Sequence, residues 1–306
     1  MTAIARNNWA SPYHIQTDKS PELRVDAWST QYISFEPKEP WKKGFRQELF
    51  QAVNRLNGHK HKVLHSIYEF AGNNRSDIEN VLFYNIDQTY FSALPLYGLR
   101  WERGFRLSKP CPVTLIHPQH HHYTYLIIKQ DHPFIHWRPG DVLARWWTTL
   151  PNSNLLQHPT YLWHFLKSSS QPILFTKPGP IRNFGIRVFI DIPKQVNQRF
   201  LLSKTKAIVD GLIATLNYHD GTDEREICHR LAQRIGVDSH EIAKLLRVQE
   251  GALFGRSRLI KLWRDTVQWN PQDDRCLVGE ILIRSSEQNS EFVLVSEIFE
   301  IRSTAI

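Results

Sequence analysis

The sequence predicts an α+β protein made of two similar α+β halves packed as an intramolecular pseudo-dimer, and three observations lead there. The chain has 306 residues, about twice the common domain length, so two units are expected before one. Strand-like runs and helical periods come in grouped blocks, without regular βαβ alternation. A strand followed by a helix with a comparable residue frame recurs in each half. The expected division is an N-terminal arm over 1–30, a first half over 31–168 and a second half over 172–306 with a helical insertion. The boundary is drawn at Ser168-Ser169-Ser170-Gln171-Pro172, the low-complexity break near mid-chain.

The elements follow in order. The first 30 residues have no steady hydrophobic period, so regular structure is expected to begin with the alternating run Tyr32-Ile33-Ser34-Phe35. Phe45, Leu49, Phe50, Val53 and Leu56 recur at helical spacing and predict an amphipathic helix, stopped by Asn57-Gly58. Val63 to Phe70 reads as a strand ended by Gly72-Asn73-Asn74, with a helix over Asp77 to Asp87 after it. Strands are expected within 98–130, notably Tyr123 to Ile128, before an aromatic helical segment through Trp146, Trp147, Tyr161, Trp163 and Phe165. In the second half, Ile173 to Thr176 and Ile186 to Ile192 predict strands. Helical patterns then run over Ser203 to Leu216, Arg225 to Ile235, His240 to Val248 and Arg258 to Trp263. Strands Leu277 to Arg284 and Phe292 to Ile301 close the chain.

Composition bounds the function. With 41% hydrophobic and 22% charged residues, the chain falls outside the compositions of disordered, collagenous and disulfide-rich proteins. No apolar run approaches the ~18 to 20 residues that cross a bilayer, and Met1 to Ser11 is polar, so a cytoplasmic protein without a membrane partner is expected. Cys111, Cys228 and Cys276 are too scattered for a disulfide framework or a zinc ribbon. A net charge of +8 favours a polyanionic partner, nucleic acid first. The chain contains neither a nucleophile elbow nor a phosphate-cradling Gly-x-x-x-x-Gly-Lys-Ser/Thr, which disfavours acyl hydrolysis and P-loop chemistry.

The two halves carry related frames. Asp77-x-Glu79-Asn80-x-x-Phe83-x-x-x-Asp87 follows the first strand, and Phe200-x-Leu202-Ser203-x-x-Lys206-x-x-x-Asp210 follows the second, with Asp273-Asp274 ahead of a later strand. Together these resemble the pattern Asp-x-Asp-Asn-x-x-Lys-x-x-x-Asp with a later Asp-Asp pair, found in RusA-type Holliday-junction resolvases, small α+β nucleases that work as homodimers with magnesium. The resemblance covers about 30 residues in each half and is of low specificity. Half one has Phe83 where the lysine belongs, and half two has Phe200 and Leu202 where acids belong. It implies that Asp77, Glu79 and Asp87 hold magnesium, that Lys206 stabilises charge and that Asp273 and Asp274 form a second acidic group. A lysine of half two, Lys204 or Lys206, supplied to half one would make one composite site. Carboxylates suit this chemistry because several must converge on a hard cation that activates water and stabilises the leaving oxygen. The competing reading of Asp77 and Glu79 is an N-cap and a first-turn acid favoured by the helix dipole.

Three other constellations were weighed. His117, His120, His121 and His122 suggest a metal site, but consecutive residues of a strand face opposite ways. Trp137, Trp146, Trp147 and Trp163, interleaved with His136, Arg138, Arg145 and His164, would either stack bases or fill the core. Arg230, Arg234, Lys244, Arg247, Arg256, Arg258 and Lys261 mark a basic helical face whose two helices are spaced like a helix-turn-helix, set against a merely solvated face. The resulting expectation is a protein that binds nucleic acid, branched or duplex DNA, with magnesium-dependent nuclease activity that is weak or lost. The alternatives are a non-enzymatic subunit of a multiprotein complex and an RNA-binding module.

Overall fold

The computed structural model describes residues 10–18, 23–56, 62–70, 72, 76–87, 97–179, 182–194, 196, 202–286 and 291–304. Asn57-Gly58, Asn73-Asn74 and Phe200, used above, lie outside them. The architecture is mixed α+β, dominated by one large sheet. In chain order the strands are β1 (Tyr13–Asp18), β2 (Arg24–Ser29), β3 (Lys62–Phe70), β4 (Gly98–Arg103), β5 (His121–Lys129), β6 (Trp137–Leu150), β7 (Ile173–Leu174) and β8 (Phe184–Pro193). They continue with β9 (Asn217–His219), β10 (Gly255–Ser257), β11 (Ile260–Trp263), β12 (Thr266–Trp269), β13 (Cys276–Ser286) and β14 (Phe292–Ser303). The helices are α1 (Pro40–Asn54), α2 (Pro159–Ser169), α3 (Thr205–Thr215), α4 (Glu224–Ile235) and α5 (Ser239–Arg247).

Ten strands form one sheet in the order β1-β2-β5-β3-β4-β13-β8-β14-β6-β7. β3 and β4 are parallel, as are β8 and β13, while β4 and β13 meet antiparallel at the centre. Side chains alternate across the sheet. Leu64, Tyr68, Leu99, Trp101, Val188 and Ile281 enter the main core. Their neighbours His65, Glu69, Arg100, Glu102, Arg187 and Glu280 therefore occupy the opposite face. The core face is covered by helices whose apolar stripes match it, such as Phe45, Leu49 and Val53 of α1 and Ile208, Val209 and Leu212 of α3. Gly211 lets α2 and α3 close on each other, since a Cβ there would stand 3.0 Å from Leu162 Cβ. Helices α4 and α5 and the β11–β12 hairpin enclose a second core of Ile227, Leu231, Ile242, Leu246 and Ile260, joined by Trp163 of α2.

Several expected elements differ. Among the described residues, regular structure begins at Tyr13, because β1 and β2 pair onto β5 as sheet-edge strands, whereas Tyr32 to Phe35 forms no strand. Trp146 and Trp147 lie in β6, where alternation buries the first and leaves the second 80% exposed; only Tyr161, Trp163 and Phe165 are helical. Arg258 to Trp263 leads into the β11 hairpin strand. The helix expected over Asp77 to Asp87 shrinks to a short turn whose π-helical part is Asn80–Tyr84, ending by Asn85. Its Val81, Leu82 and Phe83 are all buried, so tertiary packing rather than helical continuation sets its length. No helix among the described residues is long and apolar enough to cross a membrane.

Candidate active site

One ammonium gathers four carboxylates. Lys206 Nζ lies 2.7 Å from Asp77 Oδ2, 2.8 Å from Asp210 Oδ1, 2.8 Å from Asp273 Oδ2 and 3.2 Å from Glu79 Oε1. The five residues come from three distant segments. Asp77 and Glu79 stand at the turn after β3, held down by the buried Val81, Leu82 and Phe83. Lys206 and Asp210 are one turn apart on α3, so they share a face. A cation in the first turn of a helix opposes the helix dipole, so Lys206 answers to the acids around it, not to α3. Asp273 opens the short 3-10 turn before β13, and Gln272 just ahead of it adopts the left-handed conformation, φ 65°. For a non-glycine residue that backbone is uncommon and is held in place by its surroundings.

The electrostatics follow from one positive charge among four potential negatives. Burial and Glu79 push the Asp77 carboxyl well above its usual range, against the pull of Lys206. Asp210 is likewise raised, by burial and by Asp273 and Glu79, although Lys206 opposes. Asp273 goes the other way: burial would raise it, but Lys206 and a hydrogen bond from Asp77 hold it below the normal range. The two carboxyls thus shift in opposite directions around the same ammonium. Burial alone would lower Lys206, but Asp210, Asp77, Asp273 and Glu79 together hold it well above its ordinary value. Asp77 Oδ2 also accepts from Asn80 Nδ2 at 2.6 Å, which leaves Asn80 Oδ1 buried with no hydrogen-bond partner among the described residues. Glu79 and Asp210 are buried, whereas the side chains of Lys206, Asp77 and Asp273 are partly exposed, Lys206 the most at 27%.

These groups suit a hard divalent cation. All the candidate donors are carboxylate or carboxamide oxygens, the ligands magnesium prefers, and four acids surround the one ammonium. As they stand, no three His, Cys, Asp or Glu side chains among the described residues form a ready cage, and here the ammonium occupies the middle of the acids.

Of the residues expected from sequence, Asp77, Glu79, Lys206 and Asp273 come together. Asp87 does not: past the turn, its amide donates to Phe83 O and its side chain lines a separate cavity with Phe35, Glu36, Lys43 and Arg46. Asp274 faces away from its neighbour, into a pocket of about 420 Å3 with Arg103, Phe105, Trp137 and Arg275. Asp210 joins the cluster although only Lys206 of its segment was expected there; its i,i+4 spacing from Lys206 was the available signal.

The other constellations resolve differently. His121 and His122 take opposite faces: His121 Nδ1 lies 2.8 Å from Tyr68 Oη, whereas His122 bridges Asp26 and Glu69, each at 2.9 Å. Trp146 and Trp163 are core residues. The helix pair is nearly charge-balanced, with nine Lys/Arg against eight Asp/Glu over 220–270. Arg230 is held by Glu226, Arg247 by Glu224 and Arg258 by Asp223, and Arg256 donates to the Asp220 carbonyl; Arg234 and Lys244 are exposed and Lys261 is half-buried. Comparison with family models, with characterised proteins and with solved structures found no match to this chain.

Proposed function

We propose that this protein is a divalent-metal-dependent nuclease, or the direct descendant of one, that acts on nucleic acid through a single composite site. The observation that carries the reading is the convergence of Asp77 and Glu79 with Lys206, Asp210 and Asp273 on one ammonium. In sequence, these are the Asp-x-Glu-Asn half of a RusA-like pattern and its Lys-x-x-x-Asp and Asp-Asp half, each incomplete without the other. Strand order supports the same idea. β5-β3-β4 and β14-β8-β13 run in mirrored order on either side of the central β4–β13 pair, and each set has one parallel and one antiparallel neighbour. This order supports reading the chain as a homodimer joined into one polypeptide, a pseudo-dimer that would retain one of two sites by pooling residues.

Asp77, Glu79, Asp210 and Asp273 would hold magnesium, which supplies a Lewis acid and an activated water. Lys206 would then offset charge developing on the phosphate, and Asp77 and Asp210 would give up their protons as the ion binds. The substrate expected is branched or duplex DNA, in keeping with the net charge of +8. Incubation with four-way junction, duplex and single-stranded substrates in magnesium or manganese tests the reading. Cutting that Asp77→Asn abolishes supports it; no cutting of any substrate, with no magnesium binding by calorimetry, overturns it. A non-enzymatic subunit is the second reading, favoured by Trp147, Ile173 and Phe175, which stand 80%, 63% and 54% exposed on β6 and around β7 at the sheet edge. Co-purification of one stoichiometric protein that Trp147→Ser releases would support it.

A further inference from the structure

We propose that a groove running from beside the acidic cluster, past Trp137 and over the face of the sheet opposite the main core is a track for single-stranded nucleic acid. Its direction rests on reading the cluster as a phosphodiester site; its binding chemistry does not. Trp137 lines three cavities at once. The first, about 420 Å3, contains Asp274, the neighbour of Asp273, together with Arg103 and Arg275. The second, about 510 Å3, contains Lys177 and Arg182. The third, about 1120 Å3, carries Lys62, Lys129 and Arg138. A strand leaving the acids would meet cations along the whole path.

The floor is aromatic and fixed. Trp137 Nε1 donates to Arg103 O at 2.6 Å, and its ring packs 4.6 Å from that of Phe105, which is 41% exposed. A ring already pinned loses little freedom when a base stacks on it. Farther along, Phe134 and Phe189 line the third cavity, each with a guanidinium over its ring, from Arg100 and Arg284. The stacking surface is therefore the Trp137–Phe105 pair, which suits the faces of unpaired bases that a duplex keeps hidden.

The charge is available for a ligand. Arg100 and Arg187 are both engaged with Glu280, and Arg100 also donates to the carbonyls of Gln130 and His132. Lys62, Lys129 and Arg138 make no ion pair among the described residues, and in this cavity they face only Asp131 as a further acid. Three uncompensated cations beside an aromatic floor match a phosphate backbone with exposed bases better than they match an acidic protein, which would leave the aromatic floor without a partner.

The test is fluorescence anisotropy of a labelled oligothymidylate of about 15 nucleotides with the full chain in EDTA, so that cutting cannot contribute. Trp137→Ala should weaken binding about tenfold, whereas Trp137→Phe, which keeps a stacking ring and loses the indole hydrogen bond, should bind nearly as wild type. The triple variant Lys62→Glu, Lys129→Glu, Arg138→Glu should bind about 100-fold more weakly, with a salt dependence shallower by about two, at roughly 0.7 per phosphate contact. Circular dichroism melts establish that each variant is folded. Folded variants that bind the oligonucleotide as wild type does, or a wild type that binds only duplex, overturn the track. Asp77→Asn should retain full binding. Retained, track-dependent binding without any metal-dependent cutting leaves the track standing and removes the nuclease; cutting with indifferent track variants does the reverse.

Discussion

Two charged networks in this molecule are built from the same residue types and differ in balance. On the face of the sheet opposite the main core, Arg100, Glu280, Arg187, Glu297 and Arg145 are successive cross-strand partners on β4, β13, β8, β14 and β6. Signs alternate, and each acid sits between two cations. On the other network, four carboxylates share Lys206. A ladder that only joins strands has every reason to alternate its charges, because buried charge is costly unless compensated, and its third cation, Arg145, stands at the end of the row with its side chain 45% exposed. A surplus of one sign, held in place by a packed turn, a helix and a strained loop, is what a site for an oppositely charged ligand requires. On the proposed reading, the contrast separates a structural ladder in the sheet from a ligand site beside it.

The most forceful way to break the comparison is to remove the lone cation. Lys206→Met should leave the acids uncompensated and destabilise the protein by about 3–5 kcal/mol at neutral pH. The loss should shrink as pH falls and the carboxylates protonate, and millimolar magnesium should restore much of it. Urea unfolding with and without magnesium measures this; a variant as stable as wild type would mean that the acids carry no net charge to begin with.

The ladder should behave otherwise. Arg100 and Glu280 have side chains only 5% and 3% exposed, so Glu280→Ala leaves the buried Arg100 without a carboxylate and should cost about 3 kcal/mol. Here magnesium should have no effect. Rescue of Glu280→Ala by magnesium in the same unfolding experiment would erase the distinction between the networks.

Sequence made part of this legible, and the limits have physical causes. Short-range patterns transmit well: the α1 stripe of Phe45, Leu49 and Val53, the strands around Tyr123 and Ile186, and the Asp77-x-Glu79-Asn80 and Lys206-x-x-x-Asp210 spacings each depend on neighbours a few residues apart. The ladder was invisible because its pairs are long-range, Arg100 and Glu280 being 180 residues apart and Arg187 and Glu280 93. Asp87 was misjudged because a helix was extrapolated past a turn that packing cuts short. Trp146 and Trp147 looked helical beside Tyr161 and Trp163, although alternation through Ala144, Trp146 and Thr148 is the period of a strand.

A third network sharpens the comparison through pH. His122 has a carboxylate on each ring nitrogen, so it is held as an imidazolium. Burial would lower its pKa, but the hydrogen bonds to Asp26 and Glu69 outweigh that and raise it above 6.5. Because the folded value is raised, its stabilisation is complete below pH 6.5 and is lost as pH climbs through the folded pKa. His122→Gln should abolish that decline. Unfolding midpoints between about pH 6 and pH 9, falling in wild type and level in the variant, are the expected result; parallel curves would place the decline elsewhere.

The smallest expected effect has the opposite sign from the rest. Asp210 has its pKa raised by burial and by Asp273 and Glu79, more than Lys206 can offset. A carboxyl that holds its proton more tightly folded than unfolded makes the protein more stable as pH falls toward the ordinary value of 3.8, and less stable as pH rises through the folded value. At neutral pH, therefore, Asp210 is a liability for folding. Asp210→Asn keeps the shape, removes one repulsion and should stabilise the protein by about 1 kcal/mol while weakening magnesium binding. Asn can still accept a hydrogen bond from Lys206, so the geometry that now places the acid 2.8 Å from Nζ survives the change. An acid kept where a neutral isostere folds better has been retained for a reason other than folding. If Asp210→Asn instead destabilises the protein as Glu280→Ala does, the cluster is a second ladder and the distinction drawn between the two networks collapses.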